Sequence, residues 1–241
     1  MSERQRQRRA VVTGAASGIG AAVAQALVRA GWAVTGWDRR PGTGAGVDWH
    51  TVDVRDAEDV RAAAVAVPEA DLLVNSAGVG AIAPSAELRP QTWERVLGVN
   101  LSGTFYCAQA LFPALTARGG LVVNVASVMA HRAVPGRAAY CASKAGVVML
   151  TEVLGVEWAE HGVRVLAVSP AYVRTPLVEE GFENGNLDEA AIVARTPLGR
   201  LATPGEVADL VLDLTGDRYT YMTATTLRFD GGWVADGVFP R

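Results

Sequence analysis

Short apolar runs alternate with longer amphipathic ones from one end of the chain to the other. The short runs predict strands over residues 10–13, 33–37, 49–54, 71–75, 121–126, 164–168 and 226–229. The longer ones predict helices over 18–30, 57–66, 92–118, 138–160, 187–194 and 204–214. Segments such as Leu72-Leu73-Val74 and Val122-Val123-Asn124-Val125 lack the alternation of a half-exposed strand, so both faces of the sheet are expected to be covered. Strand–helix alternation of this kind predicts an α/β, doubly wound fold: a seven-stranded parallel sheet with helices on both faces. No repeat or linker interrupts the pattern, and residues 1–241 are expected to form a single domain. Residues 172–200 differ, with Pro176, Gly181, Gly185 and Pro197 around a short helix. Such an insertion is either a lid over a site or a passive surface loop.

Composition narrows the partners. The 241 residues are 50% hydrophobic and carry a formal charge of −3, which gives no general reason to expect nucleic acid or a membrane surface. Arg4, Arg6, Arg8 and Arg9 read as a solvated tail before the first strand rather than a nucleic-acid arm. No apolar run reaches the roughly 20 residues of a membrane span. Cys107 and Cys141 lie in apolar helical stretches, as small buried residues do in a reducing, cytoplasmic setting. The three histidines are scattered without metal-ligand spacing, so no metal is expected.

Candidate chemistry gathers at strand ends. Thr13-Gly14-Ala15-Ala16-Ser17-Gly18-Ile19-Gly20 follows a strand and opens a helix. Glycines there let the backbone approach a phosphate, and the helix N-terminus offers unpaired N–H groups. Asp38 ends the second strand, where a carboxylate accepts hydrogen bonds from ribose hydroxyls and repels a 2′-phosphate. That favours NAD over NADP, although Arg39 and Arg40 offer a counter-charge, and Asp38 also suits a turn. Asp53-Val54 is placed at the end of the third strand, facing an adenine amino group or serving as a cap beside Arg55-Asp56. Tyr140 and Lys144 stand four residues apart on one expected helix face, where an ammonium favours the phenolate of its neighbour. Ser127 at a strand end and Asn100 within a helical pattern complete a possible set. Taken singly, Ser127 also suits a turn or cap, and Asn100 a kink near Gly103.

In order and spacing these elements, with Asn75-Ser76-Ala77-Gly78, the segment 170–175 and Asp230-Gly231-Gly232, resemble the short-chain dehydrogenase/reductase family along essentially the whole chain. Two departures are visible: Ser76 where many members carry a second Asn, and Ala171 where Gly usually follows the Pro. The resemblance implies a Rossmann fold and hydride transfer between NAD(H) and a secondary alcohol or ketone. It makes Tyr140 the general acid/base, with Lys144 lowering its pKa and feeding a proton relay. Ser127 would hold the substrate oxygen, and Asn100 a relay water. It places Gly14, Ser17, Gly18, Ile19, Gly20, Asp38, Asp53, Val54, Asn75, Ala77, Gly78, Tyr140, Lys144, Pro170, Val173 and Thr175 against the cofactor. Substrate contacts are expected from Ser127, Met129, His131, Val134, Tyr140, Ala171, Tyr172 and Val178. His131, Arg132 and Arg137 suit a polar or anionic substrate, or are merely solvated charges; Met129, Val134 and Val178 suit an apolar ketone. The resemblance also implies a homotetramer or homodimer through the two long helices, with Phe105, Cys107, Leu111, Val147, Leu150, Leu154 and Trp158 as candidate contacts and the C-terminal stretch 233–241 packing on a neighbour. The rival readings are an NADP-dependent ketoreductase and a non-catalytic NAD sensor.

Overall fold

The computed structural model describes residues 6–236; Arg4 and residues 237–241 lie outside the described residues. Seven parallel strands, β1 (Arg9–Thr13), β2 (Ala33–Asp38), β3 (Val47–Thr51), β4 (Leu72–Asn75), β5 (Leu121–Val125), β6 (Arg164–Pro170) and β7 (Thr225–Phe229), form one sheet in the order β3-β2-β1-β4-β5-β6-β7. The helices are α1 (Gly18–Arg29), α2 (Ala57–Val65), α3 (Pro90–Leu97), α4 (Gly103–Thr116), α5 (Ala138–Glu157), α6 (Pro176–Glu183), α7 (Glu189–Arg195) and α8 (Pro204–Leu214).

Alternate strand residues feed two separate cores. Val12, Val74, Val123 and Leu166 face α1 and α8, where Val23, Leu27 and Val211 are fully buried. Val11, Leu73, Val122 and Val165 face the other side, against Leu111 and Leu115 of α4 and Leu154 of α5. With both directions apolar, the strands need no alternation, as the sequence predicts. Each such side chain contributes roughly 1.5–3 kcal/mol on leaving water. The chain runs outward from β1 through β2 to β3, then returns to β4 on the other side of β1. That reversal opens a crevice at the carboxyl ends of β1 and β4, where doubly wound sheets bind ligands.

Three segments differ from the expectation. β3 begins at Val47, after Gly46 turns the chain at φ 77°, and ends at Thr51, so Asp53 and Val54 lie beyond it. The single helix expected over 92–118 is α3 and α4 joined by a π-helical turn, Gly98–Ser102. Helix α6 arises where Pro176 and Gly181 suggest irregular chain. The Thr175 hydroxyl accepts the Val178 N–H, and Pro176 occupies the first helical position, where its missing N–H costs nothing.

Helix α5 is long and apolar enough by length and composition to cross a membrane. Here it packs beside β6 and carries Val147, Thr151 and Leu154 into the interior. Cys107, Leu111, Val147 and Leu154, considered as subunit contacts, are intrachain core at 0–4% exposure. The outward apolar stripe of α5 is instead Met149, Val153 and Val156.

Candidate active site

The turn after β1 is built against the turn after β4. Thr13 Oγ1 accepts the N–H groups of Ser76 and Ala77, each at 3.1 Å. Gly14, at φ 65°, is pressed so close that a Cβ would stand 2.8 Å from the Ala77 backbone. Gly18, at φ 55°, has the Thr175 methyl 3.3 Å from where its Cβ would be. The Ser17 side chain leaves the N-terminus of α1 uncapped, so its first N–H groups face the crevice without a protein side-chain acceptor. A side-chain-free cradle with open N–H donors fits the pyrophosphate of a dinucleotide. The Asp38 carboxylate reaches the same turn, accepting from Ala16 N at 3.1 Å and Arg40 N at 3.0 Å.

Other expected cofactor contacts separate. Pro170 is the last residue of β6, Val173 is buried and bridges to Ala202, and Thr175 caps α6 beside Gly18. Asn75 turns inward: its Nδ2 donates to Asn124 Oδ1 at 2.9 Å, and Asn124 Nδ2 in turn donates to Thr151 Oγ1 at 2.9 Å. That side chain therefore staples β4 to β5 and α5. Asp53 is held by Arg55, whose Nε lies 3.0 Å from both carboxylate oxygens, and this pairing keeps the Asp53 carboxyl below its usual range. The Asp53 carboxylate is engaged by Arg55, the Asn75 Oδ1 is buried without a hydrogen-bond partner among the described residues, and the cap of α2 is Asp56. Val54 is buried beneath Gly103, 2.7 Å from where a Cβ on that glycine would stand, and so supports the π-helical turn rather than facing the crevice.

Ser127 and Tyr140 meet beside the crevice. Ser127 sits just past β5, only 7% exposed, and its hydroxyl accepts the Met129 N–H at 3.2 Å. It thus caps the turn after β5 and lines the cleft together with Tyr140. Burial pushes the Tyr140 phenol above its ordinary pKa; the Ser127 hydroxyl and the Arg137 charge pull it back. Burial lowers the Lys144 ammonium to about 8. The expected lowering of Tyr140 by Lys144 is not what the protein alone provides. Lys144 Nζ donates to the Val125 carbonyl at 2.6 Å and stands 5.8 Å from the Tyr140 ring centroid, and burial decides the phenol's direction.

Asn100 lies in the π-helical turn and is fully buried. Its Oδ1 accepts the Val79 N–H at 2.8 Å, and its Nδ2 donates to the Val79 carbonyl and to Ser143 Oγ, both at 3.0 Å. Ser143 Oγ donates onward to the Tyr140 carbonyl at 2.8 Å. Asn100 thereby ties the chain after β4 to the second turn of α5. Sequence reasoning passed over Ser143, although it lies three residues after Tyr140 and so on the same helix face.

Ser127, Met129, Tyr140, Ala171, Tyr172 and Val178 line a cleft of about 300 Å³. His131 and Val134 do not. His131 Nε2 is turned to the buried Ser169 hydroxyl at 3.0 Å, and burial together with the Arg228 charge lowers its pKa. Val134 packs with Val128, Met129, Trp233 and Val234 behind the cleft. Arg132 binds the Val234 carbonyl. Only Arg137 of the three basic candidates reaches the cleft, joined by Ile82 and by Leu177 and Leu187 from α6 and the loop after it. Nothing local in the sequence marks those apolar positions, because the cleft forms between segments far apart in the chain.

The described family model of enoyl-(acyl carrier protein) reductases matches residues 14–234. The chain is 40% identical to D-threitol dehydrogenase of Mycolicibacterium smegmatis, over 93% of this chain and 92% of that protein. It is 38% identical to cis-4-hydroxycyclohexanecarboxylate dehydrogenase of Sinomonas cyclohexanicum, over 98% of this chain and all (100%) of that protein. A solved structure of actinorhodin polyketide ketoreductase with NADPH superposes with a TM-score of 0.88 at 33% identity, over 95% of this chain and 98% of that one. With its glycine cradle and its tyrosine–lysine helix on a parallel seven-stranded sheet, the chain belongs to the short-chain dehydrogenase/reductase family, a family of nicotinamide-dependent oxidoreductases acting on alcohols and carbonyls.

Proposed function

We propose that Tyr140 is the general acid/base of an NAD-dependent alcohol dehydrogenase whose substrate sits in the cleft bounded by Ser127, Tyr140 and Tyr172. The observation that carries this reading is that Ser127 and Tyr140 line the same cleft, with buried Lys144 one helical turn behind Tyr140 and held to the Val125 carbonyl at the end of β5. The chemistry a bound nicotinamide supplies is hydride exchange with the carbinol carbon. In oxidation Tyr140 Oη takes the carbinol proton; in reduction it returns one. Ser127 Oγ donates to the substrate oxygen and fixes it against the phenol. Lys144 passes the proton away from Tyr140, and Asn100 holds that relay in register through Val79 and Ser143.

The cofactor is held by the cradle of Gly14, Ser17, Gly18, Ile19 and Gly20, with Ala77, Gly78, Pro170, Val173 and Thr175 around the ring end. Asp38, held at the turn by Ala16 N, would accept the ribose hydroxyls of an adenosine and repel a 2′-phosphate. This favours NAD. The exposed Arg39 and Arg40 favour the NADP reading. Comparing kcat/KM for alcohol oxidation with NAD and with NADP decides between them, and a preference for NADP overturns the role of Asp38.

Residues 172–200 act as a lid within a single domain. Arg174 ties its two helices together through Glu179, at 2.7 Å, and Glu189. Saturating NADH should protect this segment from proteolysis, and unchanged cleavage contradicts closure. The exposed stripe Met149, Val153 and Val156 on α5 supports assembly as a homotetramer or homodimer, in a cytoplasmic setting. A monomer in light scattering at micromolar concentration contradicts the assembly.

A further inference from the structure

We propose that Arg137 is a specificity-determining residue that binds a carboxylate on the substrate, so that the alcohol oxidised is a hydroxy acid. The inference rests on the dehydrogenase reading and names its substrate class. The relatives do not settle that class, because a tetritol dehydrogenase and a hydroxycyclohexanecarboxylate dehydrogenase match the chain almost equally well.

Arg137 precedes α5 and lies three residues before Tyr140, on the side that faces the cleft. The residue is partly buried, and its guanidinium, whose nitrogens still reach solvent, has no hydrogen-bond or ion-pair partner among the described residues. The other half-buried arginines are engaged: Arg118 with Glu69, Arg164 with backbone carbonyls of 219 and 222, and Arg195 over the Trp233 ring. A guanidinium that lines a cleft and is held by no protein carboxylate is free to take a substrate anion.

The cleft has room for that anion. Arg137 Nη1 lies 3.8 Å from where a Cβ on Gly80 would be, so the bare glycine leaves the guanidinium face open. Two residues earlier, Lys144 Nζ stands 3.8 Å from the corresponding point on Gly78. The backbone 78–80 therefore runs from the proton relay to the free cation, a span of roughly 7 Å. A small molecule lying along this backbone would have its carbinol at Tyr140 and its acid group toward Arg137, both of which line the cleft. The Arg137 charge also acts on both phenols of the cleft, Tyr140 and Tyr172, favouring their ionised forms.

The charge count selects a carboxylate over a phosphate. Arg137 and Glu180 are the charged side chains lining the cleft among the described residues. One planar guanidinium matches one carboxylate in a two-pronged hydrogen bond. A phosphate dianion would keep one charge uncompensated beside that single guanidinium.

The test compares 3-hydroxybutyrate and 4-hydroxycyclohexanecarboxylate with their methyl esters, with threitol, and with a sugar phosphate, using the full chain and NAD. The readout is the ratio of kcat/KM for acid over ester within each variant, so a general loss of activity cancels. We expect the wild type to favour at least one acid. Arg137→Gln should lower the ratio about 10- to 100-fold, chiefly through KM, with Arg137→Lys between them. A ratio unchanged in Arg137→Gln, or a wild type that prefers the esters, threitol or the sugar phosphate, overturns the assignment. Calorimetric binding of butyrate and cyclohexanecarboxylate to the NADH-loaded protein reads the same contact without turnover. Loss of that binding in Arg137→Gln supports the carboxylate site even if the Tyr140 chemistry fails, and equal binding by both proteins overturns it.

Discussion

Lys144 Nζ donates to the Val125 carbonyl at 2.6 Å and stands 5.8 Å from the centre of the Tyr140 ring. The two residues share a helix face, yet the ammonium is anchored to the end of β5 instead of to the phenol. Burial sets both groups in opposite directions, Lys144 down to about 8 and Tyr140 up. Lys144 is therefore the first of the pair to lose its proton as pH rises. Oxidation needs the pair to give up a proton, so its rate should increase through an apparent pKa near 8 that belongs to the two groups together. Lys144→Met removes the earlier titration and should move the rise to higher pH, with a loss of about 10²-fold or more near neutrality. A pH–rate profile of kcat/KM checks this, and an unmoved profile contradicts the relay.

Asn100 grips both backbone groups of Val79 and the Ser143 hydroxyl from a fully buried position. Asn100→Ala leaves the part-buried N–H and carbonyl of Val79 without their side-chain partner, at up to about 1 kcal/mol for each group. We expect a lower Tm and a fall in kcat that exceeds the effect on cofactor binding. Ser143→Ala keeps the Val79 contacts and should show the milder version of both. Thermal unfolding beside steady-state kinetics separates the two variants; equal behaviour contradicts the role given to Val79.

Much of this arrangement is legible in the chain itself. The strands show because both of their faces are buried, which leaves runs such as Leu72-Leu73-Val74 with no polar side. The glycine turn shows because Gly14 and Gly18 occupy positive φ at a close approach. Helix α6 is hidden because Pro176 and Gly181 are read as breakers, while a Pro at the first position and a Gly packed on Leu187 are compatible with a helix. His131 misleads because its distance in sequence from Ser127 suggests the cleft, yet its ring partner, Ser169, comes from β6. Asn75 misleads similarly: its position at a strand end says nothing about whether its amide faces the crevice or Asn124. The state of Arg137 needs the fold, because an absent partner is a property of three dimensions.

Asp38 accepts the N–H groups of Ala16 and Arg40 at the mouth of the cradle. Asp38→Ser removes the charge that opposes a 2′-phosphate and leaves Arg39 and Arg40 in place. The ratio of kcat/KM for NAD over NADP should fall by at least about tenfold, equivalent to about 1.4 kcal/mol. Parallel titrations of the two cofactors measure it, and an unchanged ratio removes Asp38 from cofactor selection.

The central claim is that the Tyr140 hydroxyl carries the proton in hydride transfer. Tyr140→Phe deletes that oxygen and keeps the ring that packs with Val128, Met129 and Trp233. The most direct measurement is NADH absorbance during turnover of the best alcohol by wild type and by Tyr140→Phe, with cofactor binding measured alongside. The expected result is a drop in kcat of about 10²- to 10⁴-fold with NAD binding preserved. A Tyr140→Phe protein that turns over the same alcohol at the wild-type rate would contradict it.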